Sequence, residues 1–364
     1  MINAVFAGLA AMLIVLLITP LVRRLAWHYH IVDDPHCDSE RRAHAKPTAL
    51  LGGWAVWLAI VVILGGLMLI NEDLLASYLK KELIVGMILA SGVLMIGGYF
   101  DDRYRLSPYL SIWFPVAAAI IVIASGVGIN FVTRPWGGVW RLDSWKIALF
   151  HFGDATYFFN VWADILVFFW LMGMMYTTKL LDGLDGLTSG VAAIGATTLA
   201  ALSLTVVVHQ PDTALVAAVV AGSFLGFLYY NWFPAAIFLG ESGSLLAGFM
   251  LGVLAIIAGG KIATTLLVIG LPVFDLAWVV ARRLFWDHTP LALADRKHLH
   301  FRLLDAGLTP RQTVYFFWSL SAALGVVALM FQTRGKLLAF LLFIVMTSFL
   351  AVFIARAQRK VAAQ

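Results

Sequence analysis

Apolar runs close to the length of a membrane-spanning helix recur from one end of this chain to the other. A helix rises about 1.5 Å per residue and the hydrocarbon core of a bilayer is about 30 Å thick, so about 20 apolar residues are needed to cross it. Eleven runs meet or approach that length, with approximate limits 2–22, 50–70, 83–100, 109–127, 161–178, 187–208, 213–230, 243–259, 262–281, 313–331 and 337–355. Within lipid the backbone must satisfy its own hydrogen bonds, so such runs read as helices. The expected fold is all-α: a polytopic transmembrane helical bundle of about 11 spans, forming one integral membrane domain over 1–364. Composition agrees, since 62% of the 364 residues are hydrophobic and 12% charged, against about 45–50% and about 25% in soluble domains. The first run, from Ile2 to Val22, has neither a positive n-region nor a small-residue cleavage site. It reads as a retained span and not a signal peptide. No soluble domain, linker, low-complexity segment or internal repeat is visible between the runs.

Lys and Arg set the expected orientation. With the N-terminus outside, the segments 23–49, 101–108, 179–186, 231–242, 282–312 and 356–364 fall on the cytoplasmic side and hold 17 of the 25 Lys and Arg. The positive-inside rule favours this arrangement. It also accounts for the formal net charge of +5 without nucleic-acid binding. The single cysteine, Cys37, excludes an intrachain disulfide framework and a cysteine metal site. Among the outer segments only 128–160 is long. Trp136, Trp140, Trp145 and the turn-prone Pro135-Trp136-Gly137-Gly138 suit an interfacial hairpin or short amphipathic helix with a structural role.

The chemistry-bearing residues are distributed unevenly. Asp33, Asp34, His36, Asp38, Glu40 and His44 lie in the first inner segment, Asp101 and Asp102 end the third run, Asp182 and Asp185 end the fifth, and Glu241 precedes the eighth. Asp295, His298, His300 and Asp305 lie in the fifth inner segment. Charged groups beside apolar spans are costly and need a polar or functional reason. The pair Asp101-Asp102 places two like charges side by side, tolerable where a cation or proton sits between them; the plainer alternative is a solvated helix end near Arg103 and Arg105. Asp182-Gly183-Leu184-Asp185-Gly186-Leu187 is more specific. Glycine lets a ligand approach the backbone, and carboxylates three apart share a face if the segment is helical. Such acceptors can hold Mg²⁺ or hydrogen-bond a base; the alternative is a helix break with Asp capping the next helix. Gly240-Glu241-Ser242-Gly243-Ser244 could offer backbone N–H groups to phosphate at a helix N-terminus and a hard oxygen ligand in Glu241, or be a tight turn with a capping acid. Asp295-Arg296-Lys297-His298-Leu299-His300-Phe301-Arg302 suits a pyrophosphate, because Arg donates to phosphate in bidentate fashion. The alternative there is a solvated positive-inside loop.

These stretches, in this order, resemble one family: the polyprenyl-phosphate N-acetylhexosamine-1-phosphate transferases, of glycosyltransferase family 4 type. It includes undecaprenyl-phosphate GlcNAc-1-phosphate transferases, phospho-MurNAc-pentapeptide translocases and eukaryotic dolichyl-phosphate relatives. The resemblance rests on Arg42, His44, Pro47 and Gly52-Gly53, on Asp101-Asp102, on Asp182-Gly183-Leu184-Asp185-Gly186, on Asn231, Pro234 and Gly240 to Ser244, and on His298-Leu299-His300. It implies a bacterial inner-membrane enzyme with its active site on the cytoplasmic face, and homodimers are common in the family. A UDP-N-acetylhexosamine and undecaprenyl (polyprenyl) phosphate would give a lipid-diphosphate sugar and UMP, with Mg²⁺, in the first membrane step of a cell-envelope polysaccharide. The resemblance makes Asp101, Asp102 and Asp182 the expected catalytic residues, the first of the aspartate pair activating the lipid phosphate. Asp185 matches a position that contacts uracil. His298 and His300 match the outer members of a histidine cluster near the pyrophosphate. His44, Lys46, Asn231, Arg296 and Arg302 join Lys179, Asp185 and the two histidines as expected substrate-binding residues. Glu241 and Asp182 are the expected metal ligands. The His-Leu-His form resembles the hexosamine branch, so GlcNAc is the expected sugar.

Two positions depart from the family's pattern. Lys179 stands where an Asn precedes the Asp-Gly steps, and Glu241 where an Asp is usual. Both touch the expected Mg²⁺ site, and an ammonium paired with the longer carboxylate could take part of the metal's charge role. Two other readings remain open: a divergent inactive paralogue or scaffold binding lipid phosphate, and a transporter of lipid-linked sugars. A transporter would need ionisable groups near the membrane midplane, for which Asp164 and Asp275 are the candidates.

Overall fold

The computed structural model describes residues 2–33, 46–70, 79–134, 138–152, 155–259, 261–288, 298–332 and 334–347. The expected site residues His44 and Arg296 lie outside the described residues, as does the second half of the last expected span. The long helices are α1 (Ile2–His28), α2 (Gly52–Ile70), α3 (Lys81–Tyr104), α6 (Val161–Leu181), α8 (Pro211–Asn231), α9 (Gly240–Ile257) and α13 (Pro310–Met330). Shorter helices lie between and after them: α4 (Pro108–Ser111), α5 (Trp113–Ala124), α7 (Leu187–Ser203), α10 (Ile262–Val268), α11 (Gly270–Arg282), α12 (Leu299–Asp305), and α14 at 334–347.

The fold is helical, and the chain is a multi-pass membrane protein. The count of eleven spans is not confirmed. Among the described residues seven helices are long and apolar enough to cross a bilayer, or eight if α10 and α11 form one broken span. The region of the fourth expected span is divided between α4 and α5, and α7 is short. The α10–α11 pair bends by 84° at Ile269. Pro272 in the first turn of α11 has no N–H for the carbonyl four residues back, which removes a bond across that break.

Large apolar residues on the outside are the rule here. On α1, Ile2, Phe6, Leu9, Leu13, Leu17 and Leu21 are exposed, whereas Ala4, Ala7, Gly8, Ala11 and Val15 face inward. Lipid is as apolar as leucine, so size and not polarity decides which face packs, and small residues let backbones approach. Helix α8 packs against α1 and α7, and α9 against α2, α3 and α6. Every residue of α9 from Ser242 to Ile256 is buried, which makes α9 the central helix. Two glycine contacts set its entry: a Cβ on Gly98 of α3 would strike the backbone of Ser242, and one on Gly53 of α2 would strike that of Gly243.

Three antiparallel hairpins complete the fold. The short strands β1 (Val32–Asp33) and β2 (Thr48–Ala49) pair after α1. Ala49 then bridges to Ile237, and Gly52 N and Gly53 N donate to Phe238 O and Leu239 O at 2.9 and 2.8 Å. This stitching holds the N-terminal ends of α2 and α9 side by side. The segment 128–160 forms hairpins, not an amphipathic helix: β3 (Phe131–Thr133) with β4 (Val139–Arg141), and β5 (Lys146–Phe152) with β6 (Ala155–Asn160). Trp140 and Trp145 are exposed there, and the turn carrying Trp136 lies outside the described residues.

Candidate active site

The ends of α3, α6 and α8 and the beginnings of α2, α7 and α9 meet at one end of the bundle. They enclose a cavity of about 470 Å³ lined by Asp33, Leu50, Asp101, Asp102, Arg105, Leu106, Lys179, Asp182, Gly183, Leu184, Asp185, Asn231, Phe238, Leu239, Gly240, Glu241, Ser244 and Phe301. Seven of the expected site residues are thereby brought together: Asp101, Asp102, Lys179, Asp182, Asp185, Asn231 and Glu241.

Asp101 and Asp102 occupy the last turn of α3. Ser111 Oγ donates to Asp101 Oδ2 at 2.6 Å, and Lys179 Nζ lies 3.8 Å from the same oxygen. Asp102 turns toward α9, where Oδ1 accepts the Glu241 N–H at 3.0 Å. Its other oxygen is buried without a hydrogen-bond partner, and a Cβ on Gly240 would come within 2.6 Å of it. Gly240, at φ +72°, thus supplies a backbone conformation and a space that only glycine gives without strain. Lys179, in the last turn of α6, pairs with Glu241 Oε2 at 2.8 Å.

The Asp-Gly segment is a turn and not a continuous helix, the helix break that the sequence left open beside a shared helical face. Helix α6 ends at Leu181, Gly183 N donates back to Leu181 O at 2.8 Å, and Gly186 at φ +76° precedes α7. Asp185 does not cap α7; its Oδ2 accepts the Ala235 N–H at 2.9 Å. Burial pushes the Asp182 carboxyl up to about 7, helped by the charges of Glu241 and Asp185. The lining therefore carries, among the described residues, six acidic side chains against Arg105 and Lys179. A near-neutral Asp182 relieves part of that imbalance.

Asn231 has a role the sequence did not reveal. Its Oδ1 accepts from Gly186 N (3.1 Å) and Ser189 Oγ (2.6 Å), and its Nδ2 donates to Ile237 O (3.1 Å). The buried amide fastens the turn before α7 to the segment before α9, positioning the carboxylates on both. The first turn of α9 is less open to phosphate than its glycines suggest. The Glu241 N–H serves Asp102, and Ser242 and Gly243 pack against α3 and α2.

The histidines lie behind the cavity wall. His298 Nδ1 is 2.9 Å from Asp275 Oδ2, and Leu299 N donates to Asp275 Oδ1 at 2.9 Å. His300 stacks on His298 with ring centroids 5.8 Å apart, and its Nε2 would lie 2.5 Å from a Cβ on Gly183. Burial pushes the His300 imidazole down to about 4, so it is neutral at ordinary pH. Lys46 is exposed and Arg302 half-buried, and neither lines the cavity. Asp275 holds His298, and Asp164 accepts the Asn160 N–H at 2.8 Å at the start of α6; both acids that a transporter would need have local structural duties. Sequence reasoning missed Asp33, Arg105, Phe238 and Phe301 as lining residues. Of these Asp33 had a signal as an acid of the first inner segment and Arg105 as a cation four residues after Asp101.

Residues 84–259 match glycosyl transferase family 4, a stretch that contains all seven clustered residues. Over 359 residues the chain is 27% identical to the Bacillus subtilis (strain 168) protein named "Probable undecaprenyl-phosphate N-acetylglucosaminyl 1-phosphate transferase", covering 97% of this chain and 91% of that one. It is 28% identical over 356 residues to the decaprenyl-phosphate N-acetylglucosaminephosphotransferase of Mycolicibacterium smegmatis (strain ATCC 700084 / mc(2)155), covering 90% and 82%. It is 32% identical over 217 residues to the phospho-N-acetylmuramoyl-pentapeptide-transferase of Desulforamulus reducens (strain ATCC BAA-1160 / DSM 100696 / MI-1), covering 59% of each. The stretch 84–259, which holds the carboxylates of the cavity and the Asp-Gly turn, is thus similar to glycosyl transferase family 4, and the relatives named as N-acetylglucosamine phosphotransferases are similar to the chain along most of its length.

Proposed function

We propose that this enzyme transfers N-acetylhexosamine 1-phosphate, with GlcNAc as the sugar, from a UDP-sugar to polyprenyl (undecaprenyl) phosphate and releases UMP. The observation that carries the reading is the convergence of Asp101, Asp102, Lys179, Asp182, Asp185 and Glu241 on one cavity at a bundle end, within a chain whose GlcNAc-type relatives align along nine-tenths or more of its length. That end is the cytoplasmic one, by the excess of Lys and Arg in the segments that share it, in a bacterial inner membrane. A homodimer follows from the same family resemblance.

An oxygen of the lipid phosphate attacks the β-phosphorus of the UDP-sugar. A P–O bond forms there, the bond from that phosphorus to the bridging oxygen breaks, and UMP leaves with the electron pair. Two anions must be held together against their repulsion, so positioning and charge supply most of the catalysis. Asp101, oriented by Ser111 and Lys179, is the residue proposed to take a proton from the lipid phosphate. Lys179 and Arg105, the two cations of the lining, are the proposed partners of the phosphates. Asp185, fixed by the Ala235 N–H, is the proposed acceptor for uracil, and the Asp275–His298 pair supports the diphosphate side.

The Mg²⁺ implied by the resemblance would supply positive charge to the phosphates. The residues present do not fit it at its expected ligands. Among the described residues no three His, Cys, Asp or Glu side chains form a metal-binding group, and Lys179 stands between Glu241 and Asp101.

The test is UMP release from UDP-GlcNAc by the detergent-purified protein with undecaprenyl phosphate. Release should require the lipid and fall about 10²-fold or more in Asp101→Asn, the range for loss of a proton-transfer group. Absence of release with UDP-GlcNAc and UDP-GalNAc alike would favour a lipid-phosphate-binding scaffold instead.

A further inference from the structure

We infer that Lys179 is the resident cation of this site, held by Glu241 as its counter-ion, and that the transfer proceeds without a divalent ion bound at Glu241. The inference rests on the proposed function and says how its charge is managed.

Three helices aim their ends at the Lys179 ammonium. Glu241 Oε2 comes from the first turn of α9, 2.8 Å away, and Asp101 Oδ2 from the last turn of α3, 3.8 Å away. The lysine itself sits in the last turn of α6, where the helix dipole favours positive charge. Its position is not left to a flexible stem alone. The neighbouring Thr178 Oγ1 donates to Ser244 O at 2.7 Å, fastening the last turn of α6 to the first turn of α9. A Cβ on Gly248, one turn farther along α9, would strike the Met174 backbone, so the two helices meet at the closest approach glycine allows. The sequence of α6 and the packing of α9 therefore fix where the ammonium lies.

That place is unsuited to a second cation. Mg²⁺ demands oxygen ligands at about 2.0–2.1 Å in near-octahedral array. Glu241, an expected ligand, and Asp101 already converge on a positive charge, and with Asp182, the other expected ligand, they form no metal-binding group among the described residues. Asp102 is a poor substitute, because one of its oxygens accepts the Glu241 N–H and the other is buried. An ammonium has three donors. One serves Glu241, and Asp101 at 3.8 Å lies beyond hydrogen-bond length, so donor capacity remains for a phosphate oxygen of either substrate. A lysine is a compact, strongly hydrated point charge, and here it replaces the charge role of a metal but not its several-fold coordination.

The experiment uses the full chain in detergent and two readouts. The first is Mn²⁺ binding, followed by the electron paramagnetic resonance of free Mn²⁺ with no substrate present. The parent should leave Mn²⁺ free at protein-equivalent concentration, and Lys179→Asn/Glu241→Asp together should bind it. The second is UMP release with and without excess EDTA. Parent turnover should hold within about threefold, a change too small for loss of a transition-state contact. Lys179→Asn should fall about 10²-fold or more, as for removal of a charge-stabilising donor, and Lys179→Arg should regain part of that loss without acquiring a Mg²⁺ requirement. The double variant should regain turnover only with Mg²⁺. Parent turnover abolished by EDTA, together with Mn²⁺ binding lost in Glu241→Gln, would overturn the inference and leave the transferase reading intact. No turnover in any condition would count against the transferase reading, while the Mn²⁺ measurement would still decide the metal question.

Discussion

A buried amide and a partly buried acid show how single residues organise this site through the groups they hold. Asn231 joins Gly186, Ser189 and Ile237 through three hydrogen bonds, so Asn231→Leu strands a backbone N–H, a hydroxyl and a carbonyl together. Each unsatisfied buried group costs about 1–3 kcal/mol, and the thermal midpoint in detergent should fall accordingly. If Asn231→Leu melts like the parent but loses turnover, the residue binds substrate and the positioning role is wrong. Asp275 acts through His298. Asp275→Ala and His298→Ala should each lower turnover, and the double variant should be no worse than the weaker single, because contacting residues in one unit are not additive. Additive losses would mean separate roles. From sequence Asp275 looked like an isolated acid within a span. Its partner is 23 residues ahead across a basic segment, and no local pattern announces such a pair. Lys179 and Glu241 were different: each broke a motif in which both positions belong to one site, so their pairing was legible before any coordinates.

At the scale of elements, what was legible follows the distance over which each signal acts. Apolar runs are local, and they locate the helices. Whether a run forms one straight span depends on a single residue such as Pro272, and on packing partners, so the count of eleven spans is not confirmed. The Asp182–Gly186 segment left a helical face and a helix break open, and the structure has the break: α6 ends before Gly183, and Gly186 opens α7 in a turn fixed by the distant Asn231. The aromatic segment 128–160 left hairpin and helix open; cross-strand pairing, such as Val132 with Trp140, decided for hairpins. Helix entry into the site depends on glycine in a way that spacing alone does not reveal. Gly98 of α3 meets Ser242 backbone, whereas Gly66 of α2 has open space where a Cβ would go. Gly98→Ala should lower stability by about 1–3 kcal/mol through overpacking, with loss of activity as α3 moves away from α9. Gly66→Ala should be neutral or slightly stabilising, since alanine is the better helix former. Equal effects of the two on the thermal midpoint in detergent would remove close approach as the explanation.

The whole molecule integrates its charges through folding, and two buried groups near Gly183 make opposite contributions that can be separated by pH. The Asp182 carboxyl has an ordinary value of 3.8 and stands at about 7 in the fold. The folded state therefore binds that proton more tightly than the unfolded chain, and its stabilising contribution is present below 3.8 and is lost as pH rises to about 7. The His300 imidazole is shifted the other way, from 6.5 to about 4. There the unfolded chain binds the proton more tightly, so stability is present above 6.5 and is lost as pH falls toward about 4. Across the shared window each group changes stability by up to about 1.4 kcal/mol per pH unit, with opposite sign. The two nearly cancel in the parent. Asp182→Asn should gain stability relative to the parent as pH rises through that window, and His300→Asn should lose it. The cavity left by a smaller side chain shifts each variant by an amount independent of pH, so the slope of the difference in thermal midpoint, and not its size at one pH, reports the titration. Flat differences for both variants would mean that neither group is shifted by burial. Slopes of the stated signs would show that burial raises a carboxyl in the cavity lining and keeps an imidazole behind its wall neutral.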